Sequence, residues 1–591
     1  MTSHFKPNLS DNRIDDVIAT VCNPKYLEGN ELHRDAMARI AETLKDNDEH
    51  FQTILHILRR QAFLPGGRIH SSIGAARQTT AFNCYVSGTI EDSRLGIFKR
   101  LQEAAQTMGL GGGDGFDFST IRPRGALIKS QGSHASGPVS YMKVWDTMCA
   151  TIASAGNRRG AMMGTLRVDH PDIEEFIDAK REAGQLTNFN ISVAITDNFM
   201  YAVKHDLPFD LEFDGIVYKT VLARKLWDKI MRSTWAHAEP GVLFIDTINK
   251  KNNLWYDEEI STTNPCGEQP LPPNGACLLG SFNLTKYIQP RYVIDRVTDE
   301  GNGPTYQDGW EFDFEQLCLD IPPIVRMMDN VIDNTIYPLP EQEAEAKRKR
   351  RMGLGITGLA NTAEILGLPY GSPRMIAFMK EVMTLIRDEA YQASVELAKE
   401  KGPFPAFDKG VYPNGQFIKT LPLDIQKDIA TYGIRNSHLL SIAPTGTISL
   451  FAGNISSGIE PPFSLEYERR TIMPDGSVQW WPVYDYAYDQ YGVEGKTSGD
   501  LSATEHIEVL VEASKLVDSA CSKTCNVGEQ VTFSEFKDLY MMAYDGGASG
   551  CTTYRPVAIE TRGAVMREAP VAEESIVCTF DPVTGERTCA D

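Results

Sequence analysis

A chain of 591 residues, 42% hydrophobic and 23% charged, is long enough for one large domain with additions or for several domains. Its formal net charge of −21 argues against a free-standing nucleic-acid binder. It has no apolar run of about 18 residues and no apolar core behind Met1-Thr2-Ser3-His4-Phe5-Lys6, so neither a membrane span nor a signal segment is expected. Eleven cysteines, an odd number spread over the whole chain, suit a cytoplasmic protein whose thiols stay reduced unless they have redox work.

Residues 10–62 read as amphipathic helix, with Leu32, Met37, Ile40 and Leu44 on one face. Phe63-Leu64-Pro65-Gly66-Gly67-Arg68 ends that pattern. Residues 79–86 form a short β-type run holding Cys84, which by itself reads as a small core hydrophobe. Residues 108–115 are glycine-rich and let the backbone approach a ligand or another segment, but no Gly-Lys-Ser/Thr follows. Arg158 and Arg159, between Gly156 and Gly160, suit a phosphate or a base plane, or equally a solvated turn. From 186 to 250, strands (190–195, 241–246) alternate with a helix (222–236). That is the pattern of an α/β domain with a largely parallel sheet.

Asn264-Pro265-Cys266-Gly267-Glu268 follows, in a loop with few helix formers. In extended backbone, residues two apart share a side, so an amide, a thiol and a carboxylate would face one pocket. Spacing alone leaves Cys266 a nucleophile, a ligand or an incidental thiol. A cysteine hydrolase fits poorly, because the nearest histidines in sequence are His237 and His438. Residues 278–284 leave the loop as a strand, so the loop reads as a finger projecting from a scaffold.

Residues 297–310 look like a surface insertion, and 374–400 like a long helix stopped at Gly402-Pro403. The basic run 347–351 reads as the C-terminal end of a helix whose acidic start lies at Glu341, Glu343 and Glu345. An apolar segment then enters Pro444-Thr445-Gly446-Thr447-Ile448. If a helix follows, its free N–H groups and two hydroxyls make an anion cradle. Residues 466–500 carry a hairpin signal and an aromatic cluster best explained by packing. Cys521 and Cys525 lack a second ligand pair, so no protein-bound metal is expected. After Pro556 the chain turns polar, and its tail ends in Cys578 and Cys589. Extended, the segment from Pro556 to Cys578 reaches roughly 70 Å. A dithiol so tethered stands at about millimolar effective concentration, which suits a thiol–disulfide shuttle.

Taken together these motifs resemble the catalytic chain of ribonucleotide reductases. The resemblance rests on Phe82-Asn83-Cys84-Tyr85-Val86, Asn264-Pro265-Cys266-Gly267-Glu268, the run from Gly275-Ala276-Cys277 to Asn283-Leu284, Arg351-Met352-Gly353-Leu354-Gly355, Ile434-Arg435-Asn436-Ser437, Ala443-Pro444-Thr445-Gly446-Thr447 and Cys551-Thr552-Thr553-Tyr554-Arg555-Pro556, in family order over roughly 60–591. It implies an α/β fold: a ten-stranded α/β barrel at 63–556 with a central finger loop, a helical region at 1–62 before it, and a tail at 557–591. Cys266 would carry a thiyl radical, Glu268 would be the general base, and Asn264 would hold the sugar. Cys84 and Cys277 would be the redox pair, re-reduced by Cys578 and Cys589. Asn83, Arg68, Gly113 and Pro444, Thr445, Gly446, Thr447 and Ile448 would bind substrate.

The likeness is nearest to the adenosylcobalamin-dependent class, through Ile459-Glu460-Pro461-Pro462 and Ser522-Lys523-Thr524. Tyr554 stands alone where the oxygen-dependent class, fed by a partner subunit, has a tyrosine pair. That class is the alternative; a non-catalytic nucleotide-binding regulator is a weaker one. No Asp-x-His-x-x-Gly motif is present, so the cobalamin would not bind through a protein histidine. Asp92, Ser93, Arg122 and Lys129 match the region binding a deoxynucleotide effector across a homodimer, and Arg158 and Arg159 the loop that relays its signal. The substrate would be a ribonucleotide, with diphosphates favoured, and the external reductant a thioredoxin-like protein.

Overall fold

A computed structural model describes residues 12–128, 132–152, 161–182, 184–294, 306–472, 477–555, 566–568, 578–580 and 587–589. Among the described residues, ten strands join in one sheet. In chain order they are β1 (Phe63–Pro65), β2 (Cys84–Val86), β3 (Gly113–Asp117), β4 (Met162–Arg167), β5 (Phe189–Ile195), β6 (Gly241–Phe244), β7 (Ala276–Asn283), β8 (Met352–Thr357), β9 (Thr524–Asn526) and β10 (Gly550–Tyr554). From β2 through β3, β4 and β5 to β6 every pairing is parallel, as the strand–helix alternation predicts. The strand β7 is the hub. It runs antiparallel to β1 and β2 and parallel to β8, and all eight of its residues are buried. A strand covered on both faces needs a nearly unbroken apolar run. Ala276-Cys277-Leu278-Leu279-Gly280-Ser281-Phe282 comes close to one, with Gly280 leaving room for the Phe63 ring.

Two apolar clusters flank the sheet. One gathers Phe63, Phe82, Leu278 and Met352 under the helices Phe314–Asp333 and Pro373–Lys401. The other gathers Phe116, Met162, Val193 and Val242 under Pro138–Thr151 and Ala223–His237. Ahead of the sheet lie the helices His33–Leu44 and Asp48–Arg59. No helix among the described residues is long and apolar enough to cross a membrane.

Several local expectations change. Only Cys84–Val86 of the run 79–86 is strand. The strand expected over 241–246 ends at Phe244, and Ile245–Lys251 is helical; a short apolar run does not separate a buried strand from a buried helix start. The apolar segment before Pro444 makes isolated bridges, Leu354 to Leu440 and Ile442 to Cys521, rather than a strand of its own. The basic run does end a helix, Pro340–Lys349, as its charge pattern suggests. Its last cations turn inward: Lys349 pairs with Glu258 at 2.6 Å, Arg350 with Asp329 at 2.8 Å, and Arg351 with Glu258. The run is therefore not a basic surface stripe.

Candidate active site

The finger is a β-hairpin. Thr262–Thr263 pairs antiparallel with Pro270–Leu271, and residues 264–269 form its tip. The tip is not extended. The Gly267 N–H donates to the Asn264 carbonyl at 3.1 Å, closing a β-turn over Asn264, Pro265, Cys266 and Gly267. Proline presets the second position of such a turn, and Gly267 takes a φ of +82° that a side chain would disfavour. Asn264, Cys266 and Glu268 still line one cleft, but through a turn and not through strand alternation. The Gln269 N–H caps the Asn264 Oδ1 at 3.0 Å, and the Asn190 Nδ2, from β5, donates to the Pro265 carbonyl at 2.8 Å. The entry strand is pinned inside the sheet: Thr262 shares a 2.6 Å hydroxyl contact with Thr165 of β4.

This architecture separates the thiols into two environments. Cys266 is exposed at the tip, the only exposed cysteine among those whose side chains are described. Cys84 and Cys277 are buried free thiols that lie directly opposite one another in the β2–β7 register. Residues directly opposite in an antiparallel pair share a face, with Cα atoms about 4.5–5.5 Å apart, which is within disulfide range. The Asn264 Nδ2 donates to the Cys84 sulfur at 3.1 Å, and the Cys84 thiol reaches the Glu268 Oε1 at 3.7 Å. Carboxylate, amide and thiol thus meet at one point.

Burial holds the Cys84 thiol well above its ordinary pKa, and the Glu268 carboxylate raises it further. Burial also raises Cys277, while the Arg351 guanidinium pulls partly the other way. Both therefore rest as protonated thiols, the form that can deliver hydrogen. Among the described residues, no group of three His, Cys, Asp or Glu side chains is placed to hold a metal ion.

The cleft opens at the amino ends of β2, β3 and β4, where Cys84, Gly113 and Ala161 stand at or just before the strand starts. Asn83 lines it with an Oδ1 that has no hydrogen-bond partner. Arg68 is buried in its wall, against Gly111. Gly113 lets the Pro265 ring approach: a Cβ there would lie 3.1 Å from the proline Cγ. Pro444, Thr445, Gly446, Thr447 and Ile448 form another wall, and the expected helix is a short one, Gly446–Phe451, that starts within this stretch. Only one of the two expected hydroxyls is available there. The Thr445 hydroxyl accepts from the Gly458 N–H at 2.7 Å and meets the Thr357 hydroxyl at 3.0 Å, so it braces the turn.

Of the remaining sequence candidates, Arg122 pairs with Asp92 at 2.7 Å, and the Ser93 hydroxyl caps the helix Arg94–Gly109. Lys129, Arg158 and Arg159 lie outside the described residues. Cys578 and Cys589 are opposite one another in backbone register, on the short antiparallel strands Cys578–Phe580 and Arg587–Cys589.

Four residues of the site were not picked out as such from the sequence, although Arg351 stands in one of the motifs of the resemblance. Gln269 ties the finger to Ser441 at 2.6 Å, Asn190 clamps the turn, and Arg351 sits near Cys277. Tyr26 reaches the cleft from the N-terminal helices. Each depends on a contact far along the chain, and only the glycine at 67, which leaves space for the Tyr26 ring, is a trace of one.

The family model described as ribonucleotide reductase, barrel domain, matches residues 82–484 and 473–554. A vitamin B12-dependent ribonucleoside-diphosphate reductase of Thermoplasma acidophilum is 33% identical over 552 residues, covering 86% of this chain and 67% of that protein. A protein of the same description from Mycobacterium tuberculosis is 33% identical over 537 residues, covering 86% and 72%. The large subunit of a variola virus ribonucleoside-diphosphate reductase is 29% identical over 435 residues, covering 67% and 54%. With the matched region spanning both buried thiols, the finger and the turn at Pro444, this chain belongs to the ribonucleotide reductase family.

Proposed function

We propose that this chain reduces ribonucleoside diphosphates to 2′-deoxyribonucleotides by thiyl-radical chemistry, supplying DNA precursors. The observation that carries this is the division of the thiols: one exposed at the finger tip, two buried and paired, with Asn264 and Glu268 between them. The Cys266 sulfur, as a thiyl radical, takes the 3′ hydrogen of the ribose. Glu268 accepts the 3′ hydroxyl proton, and Asn264 holds the sugar. The 2′ hydroxyl leaves as water with a proton from the Cys84–Cys277 pair. The pair then gives up its two electrons and becomes a disulfide, and Cys266 returns the 3′ hydrogen. Atoms and electrons balance: one nucleotide and two thiols give one deoxynucleotide, one disulfide and one water.

The two relatives of highest identity described above are vitamin B12-dependent. The residues here fit such a group. Cys266 is exposed, and a Cβ built on Gly267 would meet no atom within 4 Å, so the tip of the finger beside the sulfur faces open space. Cys266 and Gly267 would border the group. When bound, adenosylcobalamin supplies the one-electron oxidation of the Cys266 thiol.

The backbone N–H groups from Gly446 to Ile448, with Thr447, bind the substrate phosphates, and the Asn83 Oδ1 accepts from the ribose. The sheet closes as a ten-stranded barrel around the finger; the bridges at Leu440 and Ile442, between β8 and the residues leading into β9, support that closure. Exposed Leu95 and Phe98 on one helix and Val144 on a neighbouring one support a face for a second copy. The effector nucleotide binds beside Asp92, Ser93 and Arg122, and a thioredoxin-like protein re-reduces the tail.

The test is an assay of the purified chain with adenosylcobalamin and a dithiol, on ribonucleoside di- and triphosphates. Deoxynucleoside diphosphate is expected without any second protein, and none with Cys266→Ala. Product that forms only when a partner subunit is added defeats the proposal in favour of an imported radical.

A further inference from the structure

The C-terminal segment meets the body of the molecule at a place the chemistry above does not use. Met566–Glu568 forms a strand antiparallel to Glu466–Ile472, with Arg469 opposite Met566, Glu468 opposite Arg567 and Tyr467 opposite Glu568. Glu466–Ile472 is paired on its other edge with Val478–Tyr484, so the tail occupies the open edge of a hairpin and makes it three-stranded. Strand addition is held by main-chain hydrogen bonds. This accounts for a strand in a polar segment without hydrophobic periodicity.

The hairpin is itself fastened beside the cleft. Tyr467 and Val483 pack on Val17, and the Tyr467 hydroxyl donates to the Asn454 Oδ1 at 2.7 Å. The Arg13 N–H donates to the Pro482 carbonyl at 3.0 Å. A few residues beyond Val17, the Cys22 sulfur lies 3.7 Å from the carbonyl oxygen of Thr447, in the cleft wall. Val17 to Cys22 is roughly 7 Å of helix. The hairpin that carries the tail strand is therefore linked to the phosphate side of the cleft through Val17 and the short helical segment to Cys22.

We propose that the open edge of Glu466–Ile472 is a tether post for the tail dithiol. Met566–Glu568 docks on it and shortens the free tether of the shuttle cysteines. This rests on the reading of Cys578 and Cys589 as the shuttle. From Glu568 to Cys578 is about ten residues, at most roughly 36 Å extended; from Pro556 it is about 22 residues and more than 70 Å. Effective concentration falls roughly as the −3/2 power of tether length, so the post raises it about threefold. The exchange it serves is conserved in electrons. One tail thiolate attacks the Cys84–Cys277 disulfide, and the second tail thiol resolves the mixed disulfide. Two electrons and two protons pass to Cys84 and Cys277, leaving a Cys578–Cys589 disulfide for an external dithiol protein to reduce.

The test uses the full chain with Met566→Pro and Arg567→Pro combined. Adjacent amides along a strand point opposite ways, so the pair removes a ladder donor whichever one faces the hairpin. Two quantities are read: amide hydrogen exchange over Glu466–Ile472, and the rate at which the Cys84 and Cys277 thiols reappear after one turnover, by quench and alkylation. Expected are faster exchange and a roughly threefold slower reappearance, with the first turnover of pre-reduced protein unchanged. Unchanged exchange overturns the docking, and faster exchange with an unchanged reappearance rate overturns the post. Cys578→Ser separates the underlying reading. If it leaves reappearance intact, the shuttle itself fails; if it stops reappearance while the proline variant does not slow it, only the post fails.

Discussion

Gly115→Ala is the sharpest probe of how the finger is held. A Cβ on Gly115 would sit 1.9 Å from the Thr263 carbonyl oxygen and 2.9 Å from its carbonyl carbon. Both partners are backbone, so no side chain can swing aside. To restore an ordinary contact, Thr263 must move by at least about 1 Å, and Asn264 is the next residue. A displacement of that size in a reacting constellation costs on the order of 100-fold in rate. The overpacking itself costs roughly 1–3 kcal/mol, which a large domain survives. The assay pairs steady-state turnover with a thermal melt. Gly267→Ala is the comparator: there the penalty is the positive φ alone, about 1–2 kcal/mol, with open space where the Cβ would go. Expected is a folded Gly115→Ala protein with about 1% of native turnover. Turnover within threefold of native would refute the claim that the contact between β3 and Thr263 sets the position of the catalytic turn.

Glu268→Gln removes the proposed base and is expected to lower turnover by 10²–10⁴-fold. It also removes the charge that, after burial, most raises the Cys84 thiol. Alkylation of Cys84 at pH 8 should then quicken, whereas in the native chain iodoacetamide modifies exposed Cys266 first, read by peptide mass. Burial pushes the Asp114 carboxyl up to about 8, and its Oδ1 has no partner. The folded chain therefore holds this proton more tightly than the unfolded chain. Stability from this group is full below about pH 4 and declines toward pH 8, by up to roughly 1.4 kcal/mol per pH unit. Asp114→Asn should raise the urea midpoint at pH 8 and leave little difference near pH 4. Cys578→Ser should spare the first turnover and stop later ones when a protein dithiol is the reductant.

The parts of the site that were legible in the sequence are those carried by local spacing. Asn264, Cys266 and Glu268 are two residues apart, and they do share a cleft. Cys84 lies in a β-type run and Cys277 just before one, but their place opposite one another joins strands far apart in the chain, so it was expected from the family resemblance and not from local spacing. Sequence spacing misjudged the backbone between them. A proline followed by a glycine two residues on favours a closed turn over an extended segment, and alternation counted from Asn264 ignored that. It also assigned both threonines of the turn at Pro444 to a ligand. Thr445 is instead spent on Gly458 and Thr357, partners that sequence distance conceals. The strand Met566–Glu568 was invisible for a related reason: an added edge strand takes its hydrogen bonds from a remote hairpin and needs no hydrophobic pattern of its own. Helix ends fared better, since Pro340–Lys349 carries its acids first and its bases last.

The most direct test of the assignment of the thiols is a single turnover of pre-reduced chain with adenosylcobalamin and a ribonucleoside diphosphate, without external reductant. It is run on Cys578→Ser/Cys589→Ser protein, so that the tail cannot reshuffle the result. Expected are one deoxynucleotide per active site, the loss of two thiols, and a Cys84–Cys277 disulfide found by peptide mapping with Cys266 still free. Product formed with Cys84 and Cys277 still reduced, or a disulfide that includes Cys266, would contradict it.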